Sequence, residues 1–263
     1  MVLPASRIVC LGAESAEILA LLGQAGRIAG VTAYAPRTAE LADKPRVGGF
    51  STAKLDRILA LQPDLVIASS DVQADIAAAL VRAGCNVLVT TQHTVEQILD
   101  TILLLGAIAG AGRAAQALVA ELRAHLARCR RRGQELPARP RVWFEEWMDP
   151  LISGAGWVQD LIEIAGGRTL FPELRHRWRA ADRVVDPAEV ARRDPEVIFA
   201  SWCGRRVRPD AIRIRPGWGA TAAVRAGRIH EIRSNLILQP GVTALRAGLA
   251  ELHRHIAAAA GVR

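Results

Sequence analysis

Two adjacent glutamates, Glu145 and Glu146, stand beside Trp147 and Asp149 in the stretch "RVWFEEWMDPLISGAGW", Arg141 to Trp157. Paired carboxylates can divide general acid and general base work. Successive strand residues point to opposite faces, so a continuing strand lets one of the two glutamates serve a given side. Nothing in the sequence supplies a third catalytic partner. The same stretch holds Trp147 and Trp157, and all six tryptophans of a chain that is 4% aromatic lie between Trp143 and Trp218. Wide indole faces at a strand end suit a flat, partly apolar ligand. Trp143 alternates within the strand and is expected in the core, as is Trp218 of "PGWGA", while Trp178 of "RHRWRAADR" fits either a loop cap or a contact. His93 and Cys203 could reach a bound metal. His125 and Cys129 are four apart on a predicted helix, but two ligands without a third do not make a metal site.

Length and composition set the frame for these residues. The 263 residues suffice for two modest lobes, and 51% hydrophobic with 23% charged is ordinary for a folded domain. The formal charge is +8, yet Lys44 and Lys54 are the two lysines among 34 basic residues, which looks like compositional bias toward arginine. The sharpest cluster, "RRVRPDAIRIR" from Arg205 to Arg215, comes with no nucleic-acid motif and reads as a solvated face or an anion contact, so no nucleic-acid partner is expected. Cys10, Cys85, Cys129 and Cys203 show no CxxC spacing, so free thiols are expected. No apolar run reaches the roughly 18 residues of a membrane span. The opening "MVLPASRIVCLGAES" has no basic segment followed by a long apolar one, and with Met1 as the start the protein is expected in the cytoplasm. There is no GxxxxGK[ST], no GxGxxG after a strand, no GxSxG and no HExxH.

The elements that must position the candidates alternate regularly. Strands are predicted at 7–12, 28–33, 64–70 and 86–91, with helices at 15–26, 53–63 and 71–84 between them. That order means βαβ units and a parallel sheet, with ligands outside the carboxyl ends of the strands. Those ends carry Gly12 to Ser15, Tyr34, Ser69 to Asp71 and Thr91 to His93. A helix over 94–112 is followed directly by another over 113–133, which could span roughly 30 Å. The pattern restarts after "QELPARP": strands at 141–146, 196–202 and 228–232, helices at 156–167, 186–195 and 241–261.

Four segments carry a family resemblance: "RIVCLGAESAEILALLGQAGRIAGVTAY", "VGGFSTAKLDRILALQPDLVIASS", "RVWFEEWMDPLISGAGWVQDLIEIAGGRTLF" and "PGWGATAAVRAGRIHEI". In that order the chain resembles, nearly end to end, the helical-backbone substrate-binding proteins of ABC importers, most closely their cobalamin-binding branch. The resemblance implies two Rossmann-like α/β lobes with mostly parallel sheets, 1–112 and 141–263, joined by a long helix and linker over 113–140. It also implies a ligand between the lobes, drawn from corrinoids, ferric siderophores and haem. Phe50 and Tyr34 match positions where the family sets aromatics against the ligand, and Trp147, Trp157 and Trp202 fall at second-lobe strand ends and loops. Glu14, Ser51, Ser70, Glu146 and Cys203 complete the expected ligand-binding set, with no metal held by protein side chains and no catalytic residue. Family members dock on permease arginines through acidic residues. Here Asp75 is the nearest first-lobe counterpart, and the second-lobe counterpart region is the arginine run, so docking on a permease is not expected. The resulting expectation is a protein that binds cobalamin or a related corrinoid or metal chelate, for handling or sensing in the cytoplasm. One alternative is a ferric-siderophore or haem binding protein of an ABC importer. The other is an enzyme with Glu145, Glu146 and Asp149 as acid–base groups.

Overall fold

The apolar runs of the first half form four strands: β1 (Ile8–Cys10), β2 (Ile28–Val31), β3 (Leu65–Ser69) and β4 (Val87–Thr90). A computed structural model describes residues 3–262 of the chain; Met1, on which the expected start rests, lies outside them. The strands pair in parallel in the order β2-β1-β3-β4. Every residue of β1 and β3 is buried, as parallel strands covered on both faces require. Between them run α1 (Ala13–Leu21), α2 (Leu55–Ala60) and α3 (Ala74–Arg82). Val9, Leu11, Val47, Ile58, Val66 and Leu80 close one core against this sheet.

Two helices follow β4 without an intervening strand, α4 (Val95–Ile108) and α5 (Gly112–Gln134). The 23 residues of α5 are unbroken, roughly 35 Å of helix. The chain divides into two compact units within α5: one runs to Gln92 and takes in Glu96–Leu122, and the other holds His93–Val95 and the chain from Arg123 on.

The second unit is built on β5 (Arg141–Met148), β6 (Leu151–Ser153), β7 (Arg168–Thr169), β8 (Val197–Ala200) and β9 (Ile229–Glu231). The main order is β6-β5-β8-β9, with β7 also on β5. β5, β7, β8 and β9 are parallel, and β6 is antiparallel. The sequence pattern ends the first of these strands at 146. In the structure it continues to Met148 and folds back through β6, so one edge of β5 takes β7 at its start and β6 at its end. β6 and β7 escape a periodicity reading because strands of three and two residues carry no usable alternation.

Helices α6 (Gly156–Ile164), α7 (Pro187–Arg192), α8 (Pro209–Arg213), α9 (Ala222–Arg225), α10 (Ser234–Ile237) and α11 (Leu249–Ala259) cover the sheet. The double glycine after α6 has a packing reason. Gly166 has φ +98, and a Cβ there would come within 2.8 Å of the Gly133 Cα, so the turn lets α5 approach closely. The closing helix, expected as one run over 241–261, opens with a π-helical segment, Ala244–Gly248, where it packs against α10.

A titratable stack lies where α11 meets the sheet. His230 of β9 and His255 of α11 stack with ring centroids 3.7 Å apart, and Phe199 lies against both. Burial, then the neighbouring His255, Arg254 and Arg228, pushes His230 from 6.5 down to about 4. Burial also lowers His255, with Arg254 adding to it and Glu251 opposing. The folded pKa lies below the unfolded one, so this contribution is complete above about pH 6.5 and is lost as pH falls toward about 4. The melting temperature is therefore expected to fall over that window. His230→Phe, which keeps a ring and removes the charge, should flatten the slope in thermal melts at stepped pH; parallel curves would reject the assignment.

Candidate ligand-binding site

At the carboxyl ends of the first unit's strands, one buried amide organises three loops. Gln73 is fully buried, and its Oε1 accepts from the Ser69 N–H at 2.7 Å. Its Nε2 donates to the Phe50 carbonyl at 2.7 Å and to that of Leu11 at 3.3 Å. The ends of β1 and β3 and the Phe50 loop are thus fixed by one side chain. That loop is pinched at its base, where Gly49 N donates to the Thr52 carbonyl. Gly48 has φ +152, and a Cβ there would lie 2.2 Å from the Thr52 oxygen, so the pinch needs glycine. The tip presents Phe50, 37% exposed, and exposed Ser51, with Tyr34, 55% exposed, alongside Gly49. Ser70 sits at φ 58 and its hydroxyl accepts from Val72 N, so it caps the turn before α3.

Glu14 behaves differently from its expected place among ligand contacts. It is buried in the first turn of α1, where burial pushes its carboxyl up and a hydrogen bond with Ser69 partly offsets the rise. It belongs to the packing beneath the strand ends.

In the second unit the two glutamates of β5 go to different partners. Glu145 has no exposed surface. Arg215 grips it with Nη1 at 2.6 Å and Nη2 at 2.9 Å, while the indole N–H groups of Trp202 and Trp143 donate at 3.0 and 3.3 Å. Glu146 sits at a bulge, since Glu145 pairs with Ser153 and Trp147 with the preceding Ile152. It accepts from Ala155 N at 2.9 Å and from Arg183 at 2.7 and 3.1 Å, and Arg183 also donates to the Ser153 carbonyl. Both carboxylates are occupied in holding the chain, which leaves neither free for acid–base work.

The aromatics divide accordingly. Trp143 and Trp218 are core residues, as expected. Trp202, expected on the rim of the site, is 2% exposed and lies in the same core. The reason is register: Ser201 N donates to the Glu145 carbonyl and prolongs the ladder, so Trp202 follows Ile198 and Ala200 onto the inward face. Trp147 is half-buried at the end of β5, with its N–H on the Asp149 carbonyl at 3.0 Å. Trp157 is half-buried in the first turn of α6, its N–H donated to the Ile237 carbonyl at 3.0 Å. Trp178, 61% exposed, meets His93 edge-on at 5.6 Å. Cys203 is exposed just past β8, and partial desolvation of its thiol, with Glu146 nearby, raises its pKa.

Sequence reasoning missed Gln73, Arg183 and Arg215. Arg215 lies seventy positions from its partner in a run read as a solvated face or an anion contact, with no one of its arginines singled out. Gln73 left a faint signal, since it, Ala77 and Leu80 are buried at helical spacing. His125 and Cys129 do meet, Nε2 to Sγ at 3.6 Å, yet among the described residues no group of three His, Cys, Asp or Glu could hold a metal. No helix among them is long and apolar enough to cross a membrane.

The structure is thus two α/β units with mostly parallel sheets and loops fixed at the strand ends. The chain belongs to the periplasmic binding protein family, whose model matches residues 8–236. Its relatives are substrate-binding proteins, and the chain is a binding protein and not an enzyme. It is 29% identical over 201 residues to the vitamin B12-binding protein of Vibrio campbellii, covering 75% of this chain and 71% of that one. It is 28% identical over 222 residues to that of Salmonella typhimurium, covering 82% and 78%. Among solved structures, the periplasmic vitamin B12-binding protein BtuF of Vibrio cholerae superposes with a TM-score of 0.76 at 22% identity, covering 97% and 98%. The periplasmic heme-binding protein BhuT, in complex with two hemes, gives 0.80 at 25% identity and covers 97% and 98%.

The Glu145 network yields a stability prediction. Arg215→Met leaves a fully buried carboxylate without its cation and should cost about 3–5 kcal/mol. Denaturant titration followed by tryptophan fluorescence checks it; a midpoint like the parent's would mean the pair adds nothing.

Proposed function

We propose that the protein binds cobalamin or a related corrinoid, using the aromatic side chains at the carboxyl ends of its two sheets. The observation that carries this reading is their placement. Tyr34 and Phe50 are exposed on a braced loop surface in the first unit, and Trp147 and Trp157 are half-buried at the corresponding end of the second. Partly exposed rings, with the indole N–H groups of Trp147 and Trp157 already satisfied, can bury a macrocycle at little cost in side-chain entropy. The similarity to vitamin B12-binding proteins supports a corrinoid as that macrocycle. The likeness to BhuT favours haem as a second reading. Ser51, Ser70, Glu146 and Cys203 are secondary candidates: Ser51 and Cys203 are exposed, while Ser70 and Glu146 are engaged in local hydrogen bonds.

A handling or sensing role in the cytoplasm, without delivery to a permease, is part of the proposal. Its support is the sign of the surface after β8, where Arg205, Arg206 and Arg208 are exposed and would repel a partner's arginines. Fractionation of the native host followed by immunoblotting tests the compartment; recovery of the protein outside the cytoplasm overturns that part alone.

Visible spectra of the purified protein after incubation with cyanocobalamin or haemin test the ligand. Retained corrin absorbance is the expected result, whereas a Soret band with corrin silence selects haem. Truncating Trp147 or Phe50 to Ala should weaken corrinoid binding by about 1–3 kcal/mol, roughly tenfold to a hundredfold. Titration of each variant measures this, and parent-like affinity in both would remove the aromatic surfaces from the reading.

A further inference from the structure

We infer that the second unit's ligand face selects metal chelates with ionised carboxylates on their rim over chelates whose rim is fully amidated. This rests on the binding reading above and adds the chemical class of the cargo. The feature that carries it is the loop after β8. Trp202 and Val207 are buried and anchor its two ends, and Val207 N donates to the Glu231 carboxylate of β9 at 3.2 Å. Between these anchors Cys203, Gly204, Arg205 and Arg206 are exposed, and Arg205 N donates back to the Trp202 carbonyl at 3.2 Å. The loop therefore projects a short, braced segment beside the end of β5. The Arg205 guanidinium lies 5.5 Å from the centroid of the Trp147 ring, the aromatic proposed to face the ligand.

Several arginines of the unit are spent on carboxylates, and those of this segment are not. Arg139, Arg141, Arg183, Arg192 and Arg193 each pair with a carboxylate of their own. Among the described residues none pairs with Arg205 or Arg206, and Glu146 nearby is already taken by Arg183. Arg205, over the Trp147 ring, and its exposed neighbour Arg206 are thus available to the rim of a bound macrocycle. A guanidinium meets a carboxylate through two parallel, charge-assisted N–H bonds, whereas an amide offers one neutral oxygen. Such contacts are partly exposed and so screened by salt, which gives the preference a signature that ring stacking lacks.

The test is titration of the purified protein with cobyrinic acid, cyanocobalamin and haemin at low salt and at about 0.5 M NaCl. The first two share a corrin, with free carboxylates in cobyrinic acid where cyanocobalamin has amides. Because cobyrinic acid also lacks the nucleotide tail, cobinamide, amidated and without that nucleotide, is titrated as the matched control. Cobyrinic acid should bind roughly tenfold or more tightly than cobinamide at low salt. High salt should shrink that ratio, as should the double substitution Arg205→Gln with Arg206→Gln. If cobinamide binds as tightly as cobyrinic acid, the inference falls and the corrinoid reading stands. If haemin alone is retained, and the double variant weakens it, the carboxylate class holds with haem as its source. If none of these is retained, both readings fall. Should the variant fold poorly, the salt dependence of the unmodified protein decides independently: a ratio that does not shrink at high salt overturns the inference.

Discussion

The second unit depends on how a fully buried carboxylate is made tolerable. Burying an unpaired charge is prohibitive, and an ion pair offsets the desolvation only when its remaining lone pairs are also satisfied. Glu145 meets that condition with four N–H groups, two from Arg215 and one each from Trp143 and Trp202. The consequence is mechanical. Glu145 and Trp143 belong to β5, Trp202 follows β8, and Arg215 closes the segment through α8, so one carboxylate ties three pieces of chain. Arg215 also lies 4.7 Å from the Trp218 ring, which brings in the next turn. The loop carrying Cys203 to Arg206 is held at its base by this cluster and projects outward from it.

The first unit meets a similar demand with a neutral group. Gln73 reaches β1, β3 and the Phe50 loop through one amide, which both donates and accepts and so needs no counter-charge. The exposed Phe50 and Tyr34 therefore stand on a braced surface. In both units a buried polar side chain just behind the strand ends fixes the loops, and the apolar groups proposed to meet ligand are carried in front of it.

Much of the architecture was legible because strands such as Leu65–Ser69 and Val197–Ala200 are continuous apolar runs bounded by turn residues. The long helix was legible for the same reason, as an unbroken helical pattern closed by a proline-containing break. The site was legible only in part. Phe50 and Trp147 lie in loops or at strand ends, where position alone suggests exposure. Trp202 was misplaced because the sequence pattern stops the ladder at a strand end, and the extra Ser201–Glu145 hydrogen bond turns it inward. Arg215 was invisible because a long-range ion pair has no spacing rule: nothing local separates one arginine of "RRVRPDAIRIR" from another.

The tryptophan census follows from the same constraint. An indole buries a large apolar surface and also carries an N–H that must be satisfied. Those of Trp143 and Trp202 go to Glu145, and that of Trp218 goes to the Pro187 carbonyl at 3.0 Å. Trp147 and Trp157 donate to the carbonyls of Asp149 and Ile237. Five of the six thus clip one segment of the second unit to another or to its own turn, a use that any cluster of long loops without disulfides would favour. Concentration of tryptophan in one half of the chain is therefore first a consequence of how that half is built. What distinguishes Trp147 and Trp157 is that their N–H groups are satisfied while part of each ring stays uncovered, so a ligand can take the ring without stranding a polar atom.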